Sequence, residues 1–267
     1  MTWAIMRRAF RDHERGLLAY VVGFVLLIVA VGSVYPTVRS NTSYAELVKQ
    51  YPKELLALFG AKEGSDLSSA PGYLGVELMG FMAPLIMIVQ AMGFGSGTIA
   101  GEEERGELDL VLAAPVTRSR VLGEKCVALV LGVVALVATF FVAILAVGAA
   151  TDMKLPVGDL AAGAVALGAL ALFFGVLALA IGAATGRRAI AISVAAGFAI
   201  VAYLVNALSE VADWLRPLRS LSPVYQTIGR QPLFRGVAVL PTLVLLAVTF
   251  AIASAGAWAF QRRDIRA

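Results

Sequence analysis

The chain has 267 residues, 60% of them hydrophobic and 15% charged, with a mean hydropathy of +0.84 and a net charge of +4. Soluble domains carry about a quarter of their residues as Asp, Glu, Lys and Arg, and the apolar runs here are too long and too many for a buried core or a secretion signal. The lone Cys126 and lone His13 exclude an internal disulfide, a cysteine zinc cluster and any Ser/His/Asp or Cys/His catalytic arrangement.

In residues 1–16, helical spacing puts Trp3, Met6 and Phe10 on one face, while Arg7, Arg8, Arg11 and Arg15 supply cations for anionic lipid heads. Two readings fit: an amphipathic helix lying in the interface and bending into the first span at Gly16, or an ordinary positive flank. His13 reads as an interfacial side chain rather than a ligand or base. Six apolar spans follow, at 17–37, 76–100, 121–150, 159–184, 189–208 and 237–260, each near or above the ~20 helical residues that cross ~30 Å of hydrocarbon. The third is long enough to tilt or project, and Pro84 predicts a kink in the second.

Between the spans, segment 38–75 carries Leu47, Val48, Tyr51, Leu55, Leu58 and Phe59 around Pro52, the pattern of two short interfacial helices. Segment 209–236 mixes Trp214, Pro217, Pro223, Tyr225, Pro232 and Phe234 with arginines, which predicts a broken, partly re-entrant element whose backbone protein or water must satisfy. Within the spans, Gly93, Gly97 and Gly101 form two GxxxG steps, and Gly168, Gly175 and Gly182 are heptad-spaced. Both predict close helix contacts, within the bundle or across a dimer.

An even number of spans puts both termini on one side. Segments 1–16, 101–120, 185–188 and 261–267 hold twelve arginines in 47 residues, against nine lysines and arginines in the 74 residues of 38–75, 151–158 and 209–236. The positive-inside rule therefore places both termini in the cytoplasm. The dominance of arginine over lysine, with much alanine, glycine and valine, fits a GC-rich bacterial source and its cytoplasmic membrane.

Residues 101–115 form a short charged segment between two spans. Glu102, Glu103 and Glu104 sit in a first turn, where carboxylates meet the positive end of the helix dipole. Leu108, Val111 and Leu112 share one face at i, i+3, i+4, with Glu107 and Asp109 beside them. Thr117 is placed to cap the next span, with Arg118, Arg120 and Lys125 near its start. Such a helix is shaped to dock into a cleft on a soluble partner. The plainer alternative is a solvated connector whose charges only fix topology.

Other chemistries are missing. No GxxxxGK[ST] is present to cradle nucleotide phosphates, and Gly93-Phe-Gly-Ser-Gly follows no strand. Glu102-Glu103 lacks the histidines of a diglutamate intramembrane protease. Nothing suggests a nucleic-acid partner. Glu77, Gln90 and Asn206 are the polar residues near the spans, and none supplies the mid-depth charge of an ion-coupled carrier.

The run Ala100 to Val121, AGEEERGELDLVLAAPVTRSRV, resembles the cytoplasmic loop of type 2 ABC exporter permeases, G-E-[KR]-E-x-G-T-L-[ED]-x-L-L-x-x-P-[VI]-[ST]-R, departing at Glu107 where threonine or serine is usual. Leu221-Ser-Pro-Val-Tyr and Gln231-Pro-Leu resemble that family's outer segment. The resemblance implies one transmembrane permease domain over 1–267, all-α, with an N-terminal elbow helix, six spans and outer re-entrant helices. It implies a coupling helix at 101–115 through which Gly101, Glu102, Glu103, Glu104, Arg105, Gly106, Glu107, Leu108, Asp109, Val111, Leu112, Pro115 and Arg118 bind an ATPase. It further implies a homodimer through the first and fifth spans, two separate ATP-binding subunits that hold ATP and Mg, and no cofactor or catalytic residue in this chain. The substrate is unreadable beyond an amphiphile such as a drug, antibiotic, lipid or hydrophobic peptide. A membrane scaffold or sensor recruiting a partner through 101–115 is the main competitor, and a membrane enzyme ranks behind it.

Overall fold

The computed structural model describes residues 3–40, 52–58 and 66–263. In chain order it contains α1 (Ala4–Ser40), α2 (Lys53–Leu58), α3 (Ala70–Leu74), a π segment (Gly75–Met79), α4 (Met82–Ser96), a π turn (Gly97–Gly101), α5 (Glu102–Glu104), α6 (Leu108–Leu112), α7 (Arg118–Ala150), α8 (Val157–Thr185) and α9 (Arg188–Leu208). The short α10 (Arg216–Arg219), α11 (Pro223–Thr227) and α12 (Pro232–Arg235) precede α13 (Val239–Arg262). Six stretches are long and apolar enough to cross a membrane: α1, α4 through α5, α7, α8, α9 and α13. No strand occurs among the described residues. The fold is an all-α, six-span bundle, as the hydropathy pattern requires.

α8 is the hub. Built largely of alanine, glycine and leucine, it is 78% buried over its most apolar stretch, against 17% for α9. It packs against α4, α7, α9 and α13. Close approach comes from small residues: a Cβ added at Gly95 would lie 2.1 Å from the Gly175 carbonyl oxygen, and one at Gly175 would lie 3.0 Å from the Ala91 Cβ. The heptad-spaced glycines of α8 meet three neighbours in turn, Val137 of α7 at Gly168, Ala91 of α4 at Gly175 and Ala100 of the π turn at Gly182. Of the GxxxG glycines, Gly93 faces open space, Gly97 meets His13 of α1 and Gly101 meets Arg188 of α9, while the tightest approach to α8 is at Gly95, outside that pattern.

The first helix is continuous through Gly16, and Ala9, Leu17, Phe24, Ile28, Tyr35 and Val38 form one buried stripe along its whole length. The second span breaks before Pro84 rather than kinking at it. Gly80 and Phe81 interrupt the helix, and Pro84 then falls in the first turn of α4, where a missing N–H leaves no intrahelical bond unmade. His13 is likewise not simply interfacial: its ring stacks on Phe94 with centroids 4.2 Å apart, and its Nδ1 lies 2.9 Å from the Ala9 carbonyl. The third span, α7, has 33 residues, a length of about 50 Å at 1.5 Å per residue.

One end of the bundle is held by tyrosines and short helices. Tyr73 donates to the Val31 carbonyl at 2.7 Å, Tyr35 to the Ser68 carbonyl at 3.1 Å and Tyr203 to the Gly80 carbonyl at 3.1 Å. Segment 209–236 is broken as expected. Ser222 accepts the Tyr225 N–H to start α11, and Leu233 of α12 is buried against α8. Of the two interfacial helices expected in 38–75, α2 is present, while Leu47, Val48, Tyr51 and Phe59 lie outside the described residues. α1, α9 and α13 turn rows of apolar side chains outward, among them Leu26, Ile200 and Phe250, as helices facing lipid or further helices do.

Candidate functional site

At the opposite, arginine-rich end, all six spans converge on residues 97–125. The second span continues past the π turn into α5, and a Schellman motif ends it. Glu107 N–H donates to the Glu102 carbonyl at 2.9 Å, and Gly106 N–H donates to the Glu103 carbonyl at 3.0 Å. Gly106 takes the left-handed φ of +70° that this motif demands of its C′ residue. The expected single helix over 101–115 is therefore two pieces, α5 and α6, hinged at Arg105–Gly106. Thr117 then caps α7 as anticipated, accepting the Arg120 N–H.

Each of the three glutamates of α5 contacts another part of the chain. Glu102, 4% exposed, accepts from Lys125 Nζ at 2.5 Å, and the same ammonium donates to the Thr98 carbonyl in the π turn. Glu103 pairs with Arg263 just beyond α13. Glu104 accepts the Arg188 N–H at 2.8 Å, placing a carboxylate at the N-terminus of α9, where the helix dipole favours it. Arg118 Nη1 donates to the carbonyls of Phe260 at 3.0 Å and Arg263 at 2.5 Å, capping the C-terminus of α13 with a cation.

The apolar stripe also meets the rest of the chain in part. Leu108 is fully buried in the chain's own core, Val111 and Leu112 are half-buried, and Gly101 is buried. Arg105, Gly106, Asp109 and Pro115 are exposed and Glu107 half-exposed. Arg105 binds Glu107 through two hydrogen bonds of 3.1 and 3.2 Å, which hold the Glu107 carboxyl below its ordinary range. Sequence spacing missed Leu110, which is 70% exposed. It sits off the i, i+3, i+4 face, so the signal for it is its position opposite that stripe.

One further residue went unassigned. Glu124, the neighbour of Lys125, accepts the Ile5 and Met6 N–H groups at 3.1 Å each and pairs with Arg120 at 2.9 Å. It caps α1, which has no acidic residue in its own first turn. Replacing Glu124 with Ala is expected to fray the start of α1 at a cost of about 1 kcal/mol, read as faster amide exchange at Ile5 and Met6. Unchanged exchange there would show that α1 does not depend on this cap. Between α1 and α6, an open groove with about 790 Å³ of empty space runs from Leu110, Ala114 and Val116 past Ile5 and Arg8 to Glu102 and Lys125.

The site thus has two layers: a largely buried charged hub joining the ends of five spans, α1, α4, α7, α9 and α13, with α8 packed against its π turn, and a small exposed rim over 105–116. No cluster of metal-ligating side chains occurs among the described residues. The family described as "Multidrug efflux system permease Rv1217c, C-terminal domain" matches residues 7–261. The chain belongs to that family. The match covers residues 97–125 and the apolar stretches of all six spans, in agreement with the resemblance to type 2 ABC exporter permeases read from residues 100–121. No curated protein matches the chain. The permease is accordingly a multi-pass membrane protein with a transport rather than a catalytic role.

Proposed function

We propose that the permease is the membrane subunit of an ATP-driven exporter in a bacterial cytoplasmic membrane, with both termini cytoplasmic. It acts as a homodimer with two separate ATP-binding subunits, which hold ATP and Mg. Segment 101–115 is the coupling element. The observation that carries this reading is the pairing of an exposed Leu110 with a hub directly beneath it that binds the ends of five of the six spans. An apolar anchor in a partner's groove supplies most of the affinity of a small interface, while surrounding charges set orientation and association rate. The partner contact is narrowed to Arg105, Gly106, Glu107, Asp109, Leu110 and Pro115. Glu102, Glu103, Glu104, Leu108 and Arg118 transmit from behind them rather than touching the ATPase.

ATP binding closes the ATPase pair and displaces the rim, and the hub passes that displacement to the spans. The differential affinity of the ATPase for the two permease states then becomes a shift between inward- and outward-open populations. The family's description as a multidrug efflux permease favours a lipophilic drug as substrate, and the apolar walls of the bundle suit one. Two measurements test the reading. Reporter fusions should give a cytoplasmic signal at residue 267 and an external one within 41–69. The permease co-expressed with its ATP-binding subunit should copurify with it, and a lipophilic cation should stimulate ATP hydrolysis severalfold. A scaffold or sensor would bind its partner without that stimulation, and an enzyme would turn over substrate without the ATPase.

A further inference from the structure

The Glu102–Lys125 pair is the least exposed ion pair among the described residues, with side chains 5% and 1% exposed. Stability does not account for it. Desolvating two charges offsets most of their attraction, and apolar side chains of similar volume commonly hold a buried site as well or better. Its setting is specific. Lys125 Nζ reaches both the carboxylate and the Thr98 carbonyl, so one ammonium spans the π turn from one end to just beyond the other. π turns are rare, departing from the i→i+4 ladder, and they gather at functional sites. The next residue, Glu124, holds the first N–H groups of α1. The first turns of α7 thereby grip the second span through Lys125 and the first span through Glu124. The groove beneath Leu110 ends on the same Lys125 and Glu102.

We propose that Lys125 is a positioning residue for coupling. By bridging the Thr98 carbonyl and Glu102, it keeps the π turn in register with α7, so that displacement of the 105–116 rim moves α1, α4 and α7 as one body. This rests on the reading of the chain as an ATP-driven permease.

The test compares the parental permease–ATPase complex with the double variant Glu102→Leu, Lys125→Met in lipid vesicles. A lipophilic cationic dye is the transported probe, and dye moved per ATP hydrolysed is the readout. The double variant removes both charges while keeping the volume filled. It should fold, bind the ATPase and hydrolyse ATP near the parental rate, with dye per ATP lower by about tenfold, within the usual range of coupling between sites. Glu102→Asp, which keeps a carboxylate within reach of Lys125, should retain most of the parental ratio. A purely structural pair would leave the ratio untouched in the double variant, and that result overturns the proposal.

Should the double variant not assemble, amide exchange on the parental complex decides. Peptides covering 97–104 and 118–126 should change protection together between the nucleotide-free and ATP-bound states, and a change confined to one of them overturns the proposal. Parental dye transport that needs no ATP would overturn the exporter reading and this assignment with it, an outcome distinct from normal coupling in the double variant.

Discussion

Leu110→Asp is expected to release the ATPase from a normally folded permease, whereas Leu108→Asp is expected to prevent the permease from accumulating. The two leucines lie two residues apart in α6 and differ in what surrounds them. Leu108 is fully buried in the main core, and Leu110 is 70% exposed. A carboxylate at position 108 loses the burial of a leucine and leaves a charge without water or partner, a combined cost of roughly 4 kcal/mol or more. At position 110 the same carboxylate stays solvated, so the isolated permease loses little. What it loses is the apolar anchor, and truncating such an anchor typically costs an interface about 2 kcal/mol or more. Membrane yield, melting temperature and ATPase copurification separate the two effects. A Leu110→Asp permease that still holds its ATPase and transports at the parental rate would remove the rim from the account.

The second large effect concerns close packing at the hub helix. Gly95→Val should destabilise the bundle by about 3 kcal/mol, since overpacking of this kind costs 1–3 kcal/mol and here meets backbone that cannot rotate away. The Cβ would stand 2.1 Å from the Gly175 carbonyl oxygen and 3.2 Å from the Leu179 nitrogen. Gly93→Ala, half a turn earlier in the same helix, meets nothing within 4 Å. It should be neutral or stabilising by roughly 0.5–1 kcal/mol, because a mid-helix glycine carries that much excess backbone entropy. Thermal unfolding of the two variants in one detergent gives the comparison. Equal melting temperatures would show that α4 and α8 do not approach as closely as described.

The spans, their order and the broken segment 209–236 were legible because they follow from composition over long windows. Length and apolarity are properties of a run of residues, and a slip of three or four positions does not erase them. The site was legible only as a segment. Periodicity put Leu108, Val111 and Leu112 on one face but carries no information about whether that face looks toward a partner or back into the chain. It looks back, and Leu110 on the other side is left exposed. The contacts of the carboxylates were hidden for a related reason. Their partners are Lys125, Arg263 and the Arg188 N–H, separated from them by 23, 160 and 84 positions, and nothing local in a sequence reports contacts at that distance. The GxxxG steps marked contacts at Gly97 and Gly101 and missed the closest one, at Gly95. The contact residue depends on rotational phase, which the packing of the whole bundle sets and the spacing of small residues does not.

In the proposed mechanism, export is driven by ATP hydrolysed in a separate subunit seated on residues 105–116. Inside-out vesicles carrying the permease with its ATP-binding subunit, loaded with no ion gradient and given a lipophilic fluorescent cation, test it most directly. The account predicts that the dye accumulates on addition of ATP and Mg, that vesicles with the permease alone accumulate none, and that Leu110→Asp abolishes accumulation while leaving the permease in the membrane. Accumulation by the permease alone under a proton or sodium gradient, indifferent to ATP and to Leu110→Asp, would contradict it.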